Sequence, residues 1–256
     1  MASLKGGTGK TTMTVCLGEA LARQGQDVLL IDYDGQANMT QWVLGRKLQD
    51  DEASILDVVA GDWTLAEAAD QAEGFGVDFI GGTSRLFRIE QEMAQDQFRV
   101  QALQGAIQEL QNSRDSAFDY CLVDCPPALG LPVMQALLAS DSLLIPTLLE
   151  KMAVEGLKDL TEALRKAQTK GGSDAELLGV VPNVVHPSRN MTDQIAAVLE
   201  RQFEEAFLKD YKIPVRTRIS EASALSKPLK KHCTSRGSSE HKRFDELAKF
   251  VLSHAN

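Results

Sequence analysis

The segment Lys5-Gly6-Gly7-Thr8-Gly9-Lys10-Thr11-Thr12 constrains this chain more than any other. A glycine-rich turn ending in Gly-Lys-Thr lets backbone N–H groups converge on phosphate oxygens. It also places a lysine on the β and γ oxygens and a hydroxyl where Mg²⁺ can be ligated. A helix that starts inside the motif points its positive end at the same anion. The spacing predicts a phosphate loop in which Gly6, Gly7, Thr8, Gly9, Lys10, Thr11 and Thr12 surround a polyphosphate. The loop departs from the general pattern in two ways. Leu4 stands where a glycine is usual, six residues before Lys10, and a second lysine, Lys5, heads the loop.

Two apolar runs end in acids. Val28-Leu29-Leu30-Ile31-Asp32-Tyr33-Asp34-Gly35-Gln36-Ala37-Asn38 reads as a buried parallel strand delivering carboxylates at its C-terminal end. Taken alone, a strand that happens to end in solvated acids is a plain alternative; beside the phosphate loop, the chemical reading is preferred. Tyr120-Cys121-Leu122-Val123-Asp124-Cys125-Pro126-Pro127 reads as a Walker B strand whose Asp124 reaches Mg²⁺ or a water on it. Its two prolines end the strand, because neither donates a ladder hydrogen bond.

Apolar strands alternate with amphipathic helices along the rest of the chain. Helices are predicted near Lys10–Gln24, 98–112, 131–139, 153–169, 190–208 and 236–253, and strands near 27–32, 77–80, 119–124, 142–146 and 177–184. This alternation implies an α/β, doubly wound, mostly parallel sheet flanked by helices, with ligands at the C-terminal ends of the strands. Residues 1–256 are read as one α/β domain with a sizeable core. Only Met1-Ala2-Ser3-Leu4 precede the loop, so either the start is truncated or the strand is very short, and a short strand is expected over residues 2–4.

These motifs resemble the ParA/MinD family of deviant Walker-type ATPases, whose loops read Lys-Gly-Gly-x-Gly-Lys-Thr-Thr/Ser. The family's Asp-x-Asp-x-Gln-x-Asn is matched from Asp32 to Asn38, and its Asp-x-Pro-Pro from Asp124 to Pro127. Leu178-Gly179-Val180-Val181-Pro182-Asn183 reads as another core strand, and Ile213-Pro214 then Ile219-Ser220-Glu221-Ala222 resembles the family's segment around the adenine pocket. The resemblance runs from residue 3 to about residue 252.

The resemblance implies ATP and Mg²⁺ as ligands and hydrolysis of ATP as the reaction. By it, Lys5, Lys10 and Asp34 are catalytic, with Asp34 orienting the attacking water. Thr11, Asp32 and Asp124 serve the metal, and Asn183 and Pro214 join the nucleotide pocket. It also implies a homodimer that sandwiches two nucleotides, with Lys5 reaching across to the partner's ATP. Lys151 is a second candidate for that contact: relatives commonly carry an aromatic residue there, and the carboxysome-positioning, McdA-like branch uses a lysine distant from the loop. Members of that branch are described as lacking the loop lysine, which this chain has.

Net charge is −9 and unevenly placed. From Lys209 to Lys249, eleven basic residues stand against five acidic ones, a local +6 that leaves −15 for the remainder. A basic segment on an acidic body suits a polyanion, and equally suits a solvated face. The resemblance favours non-specific DNA (the nucleoid), with Arg216, Arg218, Lys227, Lys230, Lys231 and Arg236 as a candidate cluster. It further implies a ParB-like or adaptor protein on a cargo, which is a plasmid, a chromosome origin or a protein organelle.

No run of 18 apolar residues occurs, and the loop starts too early for a signal peptide, so a cytoplasmic protein is expected, and the resemblance implies that it is nucleoid-associated. Cys16, Cys121, Cys125 and Cys233 form no CxxC pair and read as reduced thiols. A MinD-like membrane helix is basic on its polar face; Phe244–Leu252 carries mixed charges and reads as a core-facing helix, so no membrane is expected. An iron–sulfur role, as in the nitrogenase iron protein, lacks a second well-placed cysteine beside Cys125. A tyrosine-kinase role lacks a tyrosine-rich tail.

Overall fold

The computed structural model describes residues 1–87, 97–113, 118–150, 153–185, 190–214, 217–233 and 240–254. In chain order, α1 (Lys10–Ala22) leads to β1 (Val28–Asp32), then α2 (Asn38–Leu44), α3 (Ile55–Ala60) and α4 (Leu65–Ala68). β2 (Asp70–Ala72) and β3 (Val77–Ile80) follow, then α5 (Ala102–Asn112), β4 (Tyr120–Asp124), α6 (Leu131–Ala139), β5 (Ser142–Thr147), α7 (Ala153–Gly171) and β6 (Glu176–Val185). The chain continues through α8 (Asn190–Phe203), β7 (Ile213–Pro214), α9 (Thr217–Ala224), α10 (Leu229–His232) and α11 (Glu240–His254).

The strands lie in the orders β2-β3-β1-β4 and β5-β6-β7, and every described pairing between named strands is parallel except β2 on β3. β1 is buried along its whole length, as its unbroken apolar run demands. Alternation along it feeds two cores. Leu29 and Ile31 join Leu103, Val133 and Leu160 from α5, α6 and α7. Val28 and Leu30 join Met13, Leu17 and Leu21 of α1 with Phe244 and Leu247 of α11. The apolar face of α11 is therefore covered by protein, as its mixed polar face implies. No helix among the described residues is long and apolar enough to cross a membrane.

The β1/β4 register sets Asp32 directly opposite Asp124, at the C-terminal ends of both strands. The phosphate loop and the start of α1 lie at that same end.

The predicted strand over residues 2–4 does not form. Met1 and Ala2 do touch both sides of the gap between the two sheets. The Met1 ammonium donates to Val123 O at 2.7 Å, Cys125 N–H donates to Met1 O at 3.1 Å, and Ala2 N–H donates to Leu144 O at 3.4 Å. Ser3 and Leu4 then turn into the loop, so two residues cannot propagate a ladder. A cavity of 410 Å³ continues between β4 and β5, bordered by Cys121, Val123, Ser142 and Leu144.

Other boundaries also move. The helix predicted over 190–208 ends at Phe203, where Glu204 takes a left-handed φ of 47° that an α-helix cannot hold. The helix predicted from 98 opens as a 3₁₀ segment, Gln97–Gln101, before α5 begins. α1 stops at Ala22, just before Gly25 with φ 87°.

Candidate nucleotide-binding site

The loop is shaped by two glycines and one asparagine. Gly7 and Gly9 have φ of 73° and 82°, a region open to glycine and strained for residues with a Cβ. A Cβ on Gly9 would fall 2.1 Å from Asn183 Nδ2. That amide is where it is because it donates to Thr8 O at 2.6 Å, pinning the loop to the end of β6. Gly9 caps α1 with no side-chain hydrogen bond, so the first N–H groups of α1 face the loop's interior. Lys10 is buried and opens this helix.

Behind the loop stand the two carboxylates. Thr11 Oγ1 donates to Asp124 Oδ2 at 2.6 Å, and Asp124 Oδ1 is buried without a hydrogen-bond partner. Asp32 Oδ2 accepts from both Thr40 N–H, 2.8 Å, and Thr40 Oγ1, 2.6 Å. Both aspartates have no solvent exposure. Burial, and for Asp124 the adjacent Asp32 charge, pushes both carboxyls above the usual carboxylate range, against the hydrogen bonds from Thr11 and Thr40. A divalent cation relieves both causes. The donor set of carboxylate and hydroxyl oxygens fits Mg²⁺, with the orphaned Asp124 Oδ1 as a ready acceptor. Among the described residues no three-residue His/Cys/Asp/Glu cage exists, as suits a metal that completes its shell with phosphates and water.

Asp34 is buried two residues on, and its Oδ1 accepts from Gln36 N–H at 2.9 Å, a turn that fixes the carboxylate. Lys5 extends away from its own loop to form an ion pair with Glu150, beyond the end of β5. Pro214 lies in β7, whose Ile213 pairs with Asn183 of β6. Gly6 and Thr12 complete the loop and the first turn of α1. Lys151, Arg216 and Arg236 lie outside the described residues.

The described members of the basic cluster sit on one stretch of chain. Lys227, Lys230 and Lys231 are exposed, and Arg218 is half-buried on α9. The motifs gave no sign of what holds them. Glu19, buried at the far end of α1, accepts from Leu229 N–H at 2.9 Å and Lys230 N–H at 3.1 Å, capping α10. Trp42 Nε1–H donates to Lys227 O at 3.0 Å. Thr40, Trp42, Glu19 and Glu150 are partners that sequence reasoning missed. Their bonds span 8 to 211 residues, and no local periodicity encodes such distances.

A phosphate loop feeding a helix, with two strand-end aspartates behind it in a parallel sheet, defines a P-loop nucleotide-binding protein. Residues 1–177 match the protein family described as AAA domain. Soj, the sporulation initiation inhibitor protein of Bacillus subtilis strain 168, is 34% identical over 225 residues, covering 88% of this chain and 87% of Soj. The chromosome partitioning protein ParA of Caulobacter vibrioides strain NA1000 is 32% identical, covering 90% and 84%. Apo McdA of Cyanothece superposes with a TM-score of 0.85 at 25% identity, covering 98% of this chain and 97% of that one; a single-substitution variant of McdA in complex with ATP superposes at 0.83 and 24% identity, covering 100% and 95%. The chain belongs to the ParA/MinD-like family of P-loop ATPases.

Proposed function

We propose that residues 1–256 form one ParA-like, Mg²⁺-dependent ATPase domain. ATP drives it into a sandwich homodimer that binds DNA without sequence preference and positions a cargo. The carrying observation is the closed constellation of Lys10, Thr11, Asp32 and Asp124 around a loop headed by a further lysine. Thr11 and Asp124, with Asp32 behind them, would hold Mg²⁺, which would supply neutralisation of the phosphate charge. Lys10 contacts the same oxygens from the loop. Asp34 orients a water for in-line attack on the γ phosphorus; the bond to the β–γ bridging oxygen breaks, giving ADP and inorganic phosphate. Lys5, once released from Glu150, brings a cation to the partner subunit's nucleotide as charge develops. Asn183 and Pro214 border the adenine. Lys151 is an alternative trans contact.

Support for the partition role comes from the family and from relatives named as Soj and ParA. The basic stretch at Lys227, Lys230 and Lys231, with Arg216, Arg218 and Arg236, is the proposed DNA contact, and the proposed location is the cytoplasm, on the nucleoid. A ParB-like or adaptor protein on a plasmid, chromosome origin or protein organelle stimulates hydrolysis.

The test is binding to a random-sequence duplex with ATP and with ADP at two salt concentrations. Binding with ATP alone, weakening steeply as salt rises, is expected. Absence of binding in both states removes the nucleoid role, and ATP-dependent binding to liposomes in its place would move the protein to a membrane.

A further inference from the structure

The two helices that begin at the candidate nucleotide site each grip the basic stretch, at different points. α1 starts with Lys10 and Thr11, and its Glu19 caps the N–H groups of Leu229 and Lys230. α2 starts just after Asp34, and its Trp42, buried except for 2% of its surface, donates its indole N–H to Lys227 O at 3.0 Å. A second bond ties the same turn to α2: Ser226 Oγ donates to Gln41 O at 3.3 Å, with Ser226 held at a φ of 50°.

α2 is in turn fastened to the metal-side carboxylate. Asp32 Oδ2 accepts both the N–H and the hydroxyl of Thr40, and Trp42 lies two residues on. Ala37 and Gly45 flank α2 with left-handed φ of 53° and 71°, so this seven-residue helix is bounded by a sharp turn at each end. It is a short body fixed to Asp32 at one end of its path and to Lys227 at the other. α1, thirteen residues long and buried against the sheet, is the fixed reference.

We infer that Trp42 is a positioning residue that couples the occupancy of the Asp32 side of the nucleotide site to the placement of Lys227 relative to Lys230 and Lys231. The inference rests on the function proposed above. Its physical content is one element, α2, whose position both the metal-side carboxylate and the basic turn bias. A shift of α2 against α1 carries the Lys227 carbonyl with the indole while Glu19 keeps Lys230 where it is. The spacing of the lysines then differs between nucleotide states, and so does their fit to a row of phosphates.

The test uses the full-length Trp42→Phe protein, which keeps an aromatic ring in the pocket, removes the N–H donor and leaves the space of three ring atoms. ATP affinity is expected to stay at the wild-type value. The ratio of DNA affinities with ATP and with ADP is expected to fall by roughly five- to tenfold, the effect of one hydrogen bond. A wild-type ratio in this variant overturns the inference and leaves the proposed function standing. If the wild type binds no DNA in either state, the function fails and the coupling is read separately. The chain has two tryptophans, and the second, Trp63, is 45% exposed. In a Trp63→Phe protein the remaining emission comes from Trp42 alone. A shift of that emission on adding Mg²⁺ and ATP, together with faster or slower amide exchange at Lys227, supports the coupling; unchanged emission and exchange overturn it.

Discussion

Thr11 and Asp124 hold each other through a 2.6 Å hydrogen bond across the phosphate loop. Both are proposed metal ligands, so in the free protein the hydroxyl proton of one offsets part of the other's charge. What remains uncompensated is the buried Asp124 Oδ1 and the Asp32 carboxylate opposite it. The buried Lys10 amine and the Met1 ammonium offset part of the Asp124 charge, and a divalent cation would balance the rest.

This gives a pH dependence with a definite sign. Burial raises both carboxyls in the folded state above their unfolded values. The folded protein therefore binds more protons than the unfolded chain above about pH 4, and the stability of the metal-free protein falls as pH climbs from there towards neutrality. Mg²⁺ with nucleotide must displace those protons, so its apparent affinity rises with pH up to about 7, with protons released on binding, and levels off above it. Calorimetry in buffers of different ionisation enthalpy measures that release. Asp124→Asn is expected to flatten the stability profile; a profile as steep as that of the wild type would show that these carboxyls do not titrate there.

Asp34→Ala is expected to bind ATP and dimerise while turnover drops by about a hundredfold or more, the usual effect of removing a group that orients the nucleophile. The variant loses the 2.9 Å bond from Gln36 N–H, a stability cost of about 1 kcal/mol. Phosphate release under single-turnover conditions separates the two effects. Turnover equal to wild type would remove Asp34 from the mechanism.

Glu150→Gln frees Lys5 from its ion pair. The pair is largely solvated, with side chains 34% and 56% exposed, so the stability change is expected to stay below about 1 kcal/mol. ATP-dependent dimerisation, measured by sedimentation, is expected to tighten a few-fold, because the cation no longer has to leave a partner before reaching the other subunit. Dimerisation that weakens would assign Glu150 to the interface itself.

Much of the fold is legible in local pattern. The strand at Val77–Ile80 and the helix at Leu131–Ala139 stand where apolar spacing puts them, and the phosphate loop opens α1 at Lys10 as its motif requires. Short elements escape notice: α3, α4 and β2 span only 6, 4 and 3 residues, too few for any period to register. Within the site, Asp32, Asp124 and Thr11 are visible because a motif carries them. Thr40 is invisible, since its role is set by the turn after β1 that folds it back onto Asp32 and under the N–H of Gly82, at 2.8 Å. The failed strand over residues 2–4 has the same origin: strand formation there depends on how many residues two distant edges can pair with.

Gly9→Ala tests the loop's shape. The substitution imposes a Cβ at a φ of 82°, where L-residues are strained by roughly 1–2 kcal/mol, and drives it into Asn183. Nucleotide affinity is expected to fall tenfold or more, since each 1.4 kcal/mol is a factor of ten. Adding Asn183→Ala removes the collision but leaves the strain and frees Thr8 O, so only partial recovery is expected. Full recovery would mean that the left-handed turn is not required.

The gap between β4 and β5 yields a prediction about stability. Met1 already bonds Val123 and Cys125, and Ala2 bonds Leu144, so both strand edges point main-chain groups into the same slot. Because strand groups alternate sides with a period of two, Cys121 and Ser142 point the same way one pair further along, beside the 410 Å³ cavity. Its walls are apolar on both faces, with Leu17 and Val251 on one and Ile107 and Leu110 on the other. Five β-branched residues placed ahead of Met1 are expected to enter this slot as a parallel strand, joining the two sheets. Melting temperature should rise by at least about 3 °C, the shift that roughly 1 kcal/mol produces in a chain of this size. Amide exchange at Cys121 and Ser142 should slow at the same time. An extension of equal length rich in proline supplies bulk without ladder donors, and is expected to do neither. Equal stabilisation by both extensions would show that the gain is not strand pairing.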